Sequence, residues 1–249
     1  MSYLRGAAGG VVAGNDVVPS PNIWHWPDIY EIENRAQDSR GALHTALHEE
    51  CTLNDSDIVD LGCGDGYHLG LLGRTARSVI GIEPHPPLVT RARERVRAQR
   101  LAGVSVLAGS AERIPLPDAV VDVVHARTAY FFGPGCEPGL VEVDRVLRPG
   151  GALVVVDLDG RSAPYGDWLC ADTRGYRPSA IEKFFTAKGF ASRSVATLWT
   201  FECRADLEAV LRIEFSAPVA ALAIARTPGL QIEVGYRLRV RTKPGGLIR

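Results

Sequence analysis

The residues best placed to do chemistry are Asp60-Leu61-Gly62-Cys63-Gly64-Asp65-Gly66, followed by Glu83 about 20 positions on from Gly62. Three glycines in five positions let a backbone turn sharply and approach a ligand closely. An acid about 20 residues further on, at the end of the next strand, can accept hydrogen bonds from both hydroxyls of a ribose. Together they predict a nucleoside site. A tight turn with an unrelated surface glutamate is the bland alternative.

The details narrow the nucleoside. A dinucleotide loop reads G-x-G-x-x-G and seats a pyrophosphate on a helix N-terminus. Here its last position is Tyr67, and Asp60 and Asp65 would repel a pyrophosphate. Carboxylates attract a sulfonium or an ammonium instead. The loop therefore suits S-adenosylmethionine (SAM) better than a nicotinamide dinucleotide, which leaves an NAD-linked oxidoreductase as a weak rival. No phosphate-cradling G-x-x-x-x-G-K-[ST] and no G-x-S-x-G elbow occurs.

These residues need elements to position them. Ile58–Leu61, Ser78–Ile82, Val104–Leu107, Val120–His125 and Ala152–Leu158 read as strands. Between them, 68–75, 87–100 and 138–147 read as helices, the last stopped by Pro149-Gly150-Gly151. Strands alternating with helices predict right-handed crossovers and a parallel sheet. The unbroken apolar run from Ala152 to Val156 fits a strand covered on both faces. Ser192–Cys203 and Gln231–Thr242 read as a long antiparallel pair closing the sheet, with a helix at 181–188 before them. Residues 204–226 between that pair read as a helical insert forming part of a cap. Residues 1–22 read as a glycine-rich arm and 23–52 as two short helices, with Pro27 opening one and Gly41 separating them. The division is thus an arm and helical cap over 1–52 and a ligand-binding domain over 53–249.

Composition agrees with one folded unit. The chain has 249 residues, 46% hydrophobic and 23% charged, with a formal net charge of -1. Such balance argues against wholesale disorder and gives no electrostatic reason for a nucleic-acid or anionic-membrane partner. No apolar run reaches the roughly 18 to 20 residues of a membrane span. Five widely spaced cysteines without C-x-x-C suggest a reducing compartment rather than a disulfide framework or zinc knuckle. The glycine-broken N-terminus lacks the apolar centre of a secretory signal, so a cytoplasmic setting is expected.

DLGCGDG, GIEPH, GSAERIPLPD, DVVHAR and RVLRPGGALVVVD, in that order, resemble the class I SAM-dependent methyltransferases over residues 56–158. The resemblance implies a Rossmann-like α/β fold: a seven-stranded, mostly parallel sheet with helices on both faces, an N-terminal helical cap and a helical insert before the last strand. It implies SAM as cofactor, with S-adenosylhomocysteine as its product. It carries Asp60, Gly62, Cys63 and Gly64 over as the donor loop, Glu83 as the ribose acid and Pro84 as the residue beside the adenine. Ser110, Ala111 and Glu112 take the adenine-edge turn, where the family commonly has Asp in place of Ser110. His125 and Ala126 fall beneath the methyl group, and Tyr30 resembles an aromatic that lies over the methionine end.

Ligands of open α/β sheets bind beyond the carboxyl ends of the strands. The acceptor pocket is therefore expected in the loops 125–136 and 157–168, with Arg127, Tyr130, Phe131, Tyr165 and Trp168 as lining and Trp24 and Trp26 covering it. An ionisable group beside three aromatics suits a small acceptor with an apolar body. Methyl transfer from a sulfonium needs a base for some acceptors only. His125 is the first choice, imidazole being the commonest proton-transfer group; a purely structural histidine is the alternative. Tyr130, Asp157 and Asp159 are weaker choices. No metal is expected: His44 and His48 stand in HTALH rather than HExxH, and the fourth strand ends in no acid. Neither an N/D-P-P-Y tetrad nor a Pro-Cys dipeptide follows that strand. A small-molecule acceptor, in secondary metabolism, is the leading expectation, with oxygen, nitrogen and carbon acceptors all open. A tRNA or protein acceptor, or SAM binding without transfer, are the alternatives.

Overall fold

Short apolar runs rich in Val and Ile set the centre of the protein. In the computed structural model, which describes residues 17–245, they form β1 (Asp57–Leu61), β2 (Ser78–Glu83), β3 (Val104–Ala108), β4 (Val121–Arg127) and β5 (Leu147–Leu158), followed by β6 (Ala191–Thr200) and β7 (Gln231–Thr242). The strand order is β3-β2-β1-β4-β5-β7-β6. The first five are parallel, and β7 runs antiparallel between β5 and β6. The chain leaves β1 to build outward on one side through β2 and β3, then returns to lay β4 on the other. Ligands of such sheets gather at this reversal.

Alternation of side chains divides the core. Ile58, Val79, Val123, Val154 and Val156 face one layer, and Val59, Ile82, Val124, Leu153 and Val155 face the other. β1, β2, β4 and β5 are thus apolar on both sides, as a helix-covered parallel sheet requires.

Among the described residues, the N-terminal cap has three helices where two were expected: α1 (Pro21–His25), α2 (Pro27–Ala36) and α3 (Ala42–Glu50). Pro21 and Pro27 each open a helix, where a missing N–H is harmless. Gly41 precedes α3 at φ 70°, a conformation glycine adopts freely. The Asp38 carboxylate accepts the N–H groups of Leu43 and His44 there. Of the expected arm, residues 1–16 lie outside the described residues, and 17–20 have no regular structure.

The remaining helices are α4 (Leu69–Leu72), α5 (Pro86–Ala98), α6 (Glu137–Val146), α7 (Tyr165–Asp172), α8 (Pro178–Ala187), α9 (Arg204–Glu214) and α10 (Ala217–Arg226). Three differ from expectation. The helix after the glycine loop is a single turn instead of spanning 68–75. The insert is two helices, broken at Phe215-Ser216 and restarted with Pro218 in the first turn. Residues 165–172 form α7, which begins inside the stretch 157–168 expected as a loop. Strand β4 also runs on to Arg127, and β5 starts at Leu147, ahead of the glycines expected to precede it. The insert does join the cap: Glu214 of α9 accepts hydrogen bonds from Asn22 Nδ2 at 2.5 Å and Tyr165 Oη at 2.7 Å. Among the described residues, no helix is long and apolar enough to cross a membrane.

Candidate functional site

Two cavities open at the carboxyl ends of β1, β2 and β4. The first is the cleft over the glycine loop. Gly62 sits at φ 77°, and a Cβ there would lie 2.5 Å from the Cβ of Ala129. The loop's N–H groups at Gly62 and Cys63 both donate to the Ile82 carbonyl, which ties the turn to the end of β2. Glu83 completes the tie. Its Oε2 accepts the Gly64 N–H at 3.0 Å and its Oε1 the His85 N–H at 2.9 Å. Burial pushes its carboxyl up to about 7; the two backbone bonds oppose this, while Asp60 and Asp65 add to it. A buried carboxyl in this condition fits a ligand that brings hydroxyl donors, as a ribose does.

The cleft holds about 990 Å³ of empty space when counted out to its open mouth. Pro84, Leu88, Ser110 and Ala111 line one end, and Tyr30, Asn34, Gln37 and Arg127 the other. Residues 17–20 run along it. Trp24 lines it too and stacks on His85, ring centroids 4.4 Å apart and 11° from parallel. This is an apolar slot next to a hydroxyl acceptor, then a polar end. The residues fit an adenosyl group joined to an amino-acid tail. Asp65 is not a free anion in the loop: Arg95 reaches it at 2.7 Å and also pairs with Glu31.

The second cavity, also about 990 Å³ to its mouth, lies between β4, α3 and the α4 turn. Its apolar wall includes Leu43, Leu47, Leu71, Leu72 and Val156. His44, His68 and His125 supply imidazoles. Burial, with Arg127 and His125 nearby, holds the His68 imidazole well below its usual range, so it is neutral at pH 7. His125 is buried and its Nδ1 lies 2.8 Å from Asp60 Oδ1. A carboxylate on Nδ1 favours the tautomer with a proton there, leaving Nε2 as an acceptor. Asn34, Gln37, Tyr67, His68 and Arg127 border both cavities.

Behind this shared wall is a buried acidic pair. Burial and mutual repulsion raise Glu33 well above the usual carboxylate range, and burial raises Glu214 as well. Glu33 Oε1 accepts a bond from Gln37 Nε2 at 2.7 Å, and Gln37 Oε1 accepts one from Arg127.

The structure brings together most of the expected donor residues. Tyr30, Gly62, Cys63, Gly64, Glu83, Pro84, Ser110 and Ala111 line the cleft, as do Trp24, Arg127 and Tyr130 from the expected acceptor set. Others stand elsewhere. Asp60 is buried behind the loop on His125. His125 opens on the second cavity, not on the cleft. Ala126 is wholly buried in the opposite layer. Glu112 accepts the Tyr130 hydroxyl at 2.7 Å outside the cleft. Trp26 projects into solvent at 55% exposure. Phe131 is fully buried, and Phe132 takes its place at the cleft, because Thr128 and Tyr130 adopt φ 46° and 56° and re-aim the chain. Tyr165 and Trp168 are core residues of α7. Asp157 is buried, and Asp159 pairs with Arg161 at 3.0 Å.

Sequence reasoning missed Asn34, Gln37, Tyr67 and His68. Tyr30, Asn34 and Gln37 stand at i, i+4 and i+7, a helical stripe that would have grouped them.

A family model described as a methyltransferase domain matches residues 59–155. A tRNA U34 carboxymethyltransferase of Cellvibrio japonicus is 36% identical over 112 residues, 43% of this chain and 34% of that protein. A probable S-adenosylmethionine-dependent methyltransferase of Mycolicibacterium smegmatis is 35% identical over 99 residues, 40% of this chain and 37% of that protein. The matches thus span little more than a third of either relative's length. The fold of a SAM-dependent methyltransferase from Aquifex aeolicus superposes with a TM-score of 0.55, at 18% identity, over 86% of this chain and 97% of that one. Residues 59–155 thus match the methyltransferase-domain family, whose cofactor is SAM, and the fold is that of SAM-dependent methyltransferases.

Proposed function

We propose that the protein transfers a methyl group from SAM to a small-molecule acceptor, in the setting of secondary metabolism that the family resemblance suggests. The observation that carries this reading is the wall shared by the two cavities. One has the loop and acid for an adenosyl donor, and the other adjoins it with room for a second molecule.

SAM supplies, when bound, an electrophilic methyl on a sulfonium. Glu83 would hold the ribose hydroxyls, Pro84, Leu88 and Ala111 would flank the adenine, and Tyr30, Asn34 and Gln37 would meet the amino-acid end. Holding two reactants in line is worth about 7 to 11 kcal/mol in favourable cases. For an acceptor that must lose a proton, His125 Nε2 takes it while Asp60 steadies the imidazolium through Nδ1. General-base help of this kind is worth about 10²- to 10⁴-fold.

A macromolecular acceptor is the second reading, favoured by the tRNA-modifying relative. It predicts strongly salt-dependent binding to bulk RNA; the balanced charge of the chain argues for the small molecule. The deciding experiment incubates the protein with methyl-labelled SAM and a metabolite extract. The expected result is release of S-adenosylhomocysteine with label in a small molecule. Label in RNA or protein alone would reject the small-molecule acceptor, and binding of SAM without any labelled product would reject transfer.

A further inference from the structure

Among the described residues, the second cavity has one permanent cation without an anionic partner. Of the two arginines on its walls, Arg35 pairs with Glu31 at 3.8 Å. Arg127 makes no ion pair among the described residues. Its Nη2 donates to Gln37 Oε1 at 2.5 Å, and its guanidinium lies over the Tyr236 ring at 5.3 Å. Glu33 feels the charge of Arg127, but burial and Glu214 hold its carboxyl well above the usual carboxylate range and no ion pair joins the two. Asp38, on the rim, is occupied in capping α3. A guanidinium carries five donors in a planar fork that matches a carboxylate. A half-buried arginine that makes no ion pair can take one from a ligand.

Apart from Arg35 and Asp38, each already engaged, the rest of the cavity lining is apolar or uncharged. Leucines and Val156 form its sides. Burial lowers the His44 imidazole as it does that of His68. A largely apolar cavity with one unpaired guanidinium on its wall recognises one anionic group on an apolar body.

We propose that this second cavity is the acceptor site and that it selects a small molecule bearing a carboxylate on an apolar skeleton, the carboxylate pairing with Arg127. Calling the ligand an acceptor rests on the methyl-transfer reading above; the anion site itself does not. The arrangement places the carboxylate at the wall shared with the donor cleft. The rest of the molecule then extends along His68 and His125.

The test uses the full chain with ¹³C-labelled histidine, whose six imidazoles give separate signals. A panel of aryl and alkyl hydroxy-acids is titrated, each beside its own carboxamide, with and without saturating S-adenosylhomocysteine. At least one acid should shift the His44, His68 and His125 signals and bind about tenfold or more tightly than its amide. Arg127→Gln should abolish that gap, and Arg127→Lys, which keeps the charge but loses the fork, should retain part of it. Binding of no acid, acids bound no better than amides, or a gap that survives Arg127→Gln would overturn the proposal. So would a variant that loses S-adenosylhomocysteine affinity instead, because Arg127 would then serve the donor's own carboxylate. If the wild-type protein binds no S-adenosylhomocysteine, the donor reading fails, while the acid-over-amide gap still reports on the anion site.

Discussion

Asp60 Oδ1 and His125 Nδ1 lie 2.8 Å apart, both almost wholly buried, on neighbouring strands whose registry sets the two residues side by side. Asp60 is the root of the donor loop, and His125 is the floor of the second cavity. One hydrogen bond thus connects the loop proposed to bind the donor to the group proposed to receive a proton. His125→Ala is expected to lower kcat by about 10²- to 10⁴-fold on an acceptor that must be deprotonated, with S-adenosylhomocysteine affinity within a few-fold of wild type. Single-turnover rates and calorimetry on the same samples check both halves. Unchanged turnover would return His125 to a structural role.

Glu83 supplies a pH signature for donor binding. Its carboxyl is raised to about 7 in the folded protein, and a ligand donating hydroxyl hydrogens prefers the ionised form. Donor affinity is therefore expected to rise as pH increases through 7, with protons released on binding below that pH. Calorimetry in two buffers of different ionisation enthalpy measures that release. Glu83→Gln should flatten the profile and weaken binding by about 10- to 100-fold, as loss of a hydrogen bond to a charged group does. A flat profile in the wild type would mean that Glu83 does not meet the ribose.

Much of the fold was legible because its signals are local. Alternating apolar runs and glycine stops placed all seven strands within a few residues. The glycine loop and Glu83, which the structure brings together, were legible for the same reason: the signal lies in residue type and spacing. The acceptor side was not. Whether Tyr165 and Trp168 line a pocket or fill the core depends on α7, and α7 exists because those rings pack against Phe215 and Trp199 from distant parts of the chain. Phe131 and Phe132 exchange places through two left-handed residues that no pattern announces. The second cavity joins α3, the α4 turn and β4, so no single stretch of sequence outlines it.

Trp168 offers a direct contrast between core and site. It is 2% exposed and contacts Tyr165 and Phe215. Trp168→Phe is expected to lower stability by about 1 to 3 kcal/mol through the void it leaves. Acceptor preference should not change. Denaturant melts and relative kcat/KM across several acceptors separate the two effects, and a change in preference would bring the ring back into the pocket.

The Glu33–Glu214 pair fixes the sign of a stability profile. Both carboxyls are raised by burial, and Glu33 Oε2 has no hydrogen-bond partner unless a proton is present between the two acids. A group whose folded pKa exceeds its unfolded value binds more protons when folded, so its contribution to stability is present at low pH and is lost as pH rises through the folded value. Wild-type Tm is therefore expected to fall from pH 6 to pH 9. Glu33→Gln supplies a permanent N–H donor toward Glu214 and keeps an oxygen for Gln37. It should raise Tm at pH 9, where each kcal/mol gained is worth about 2 to 4 °C for a chain of this length, and should make the profile shallower. Loss of stability in the variant at every pH would show that the two carboxyls do not share a proton and that Glu33 is held by other contacts.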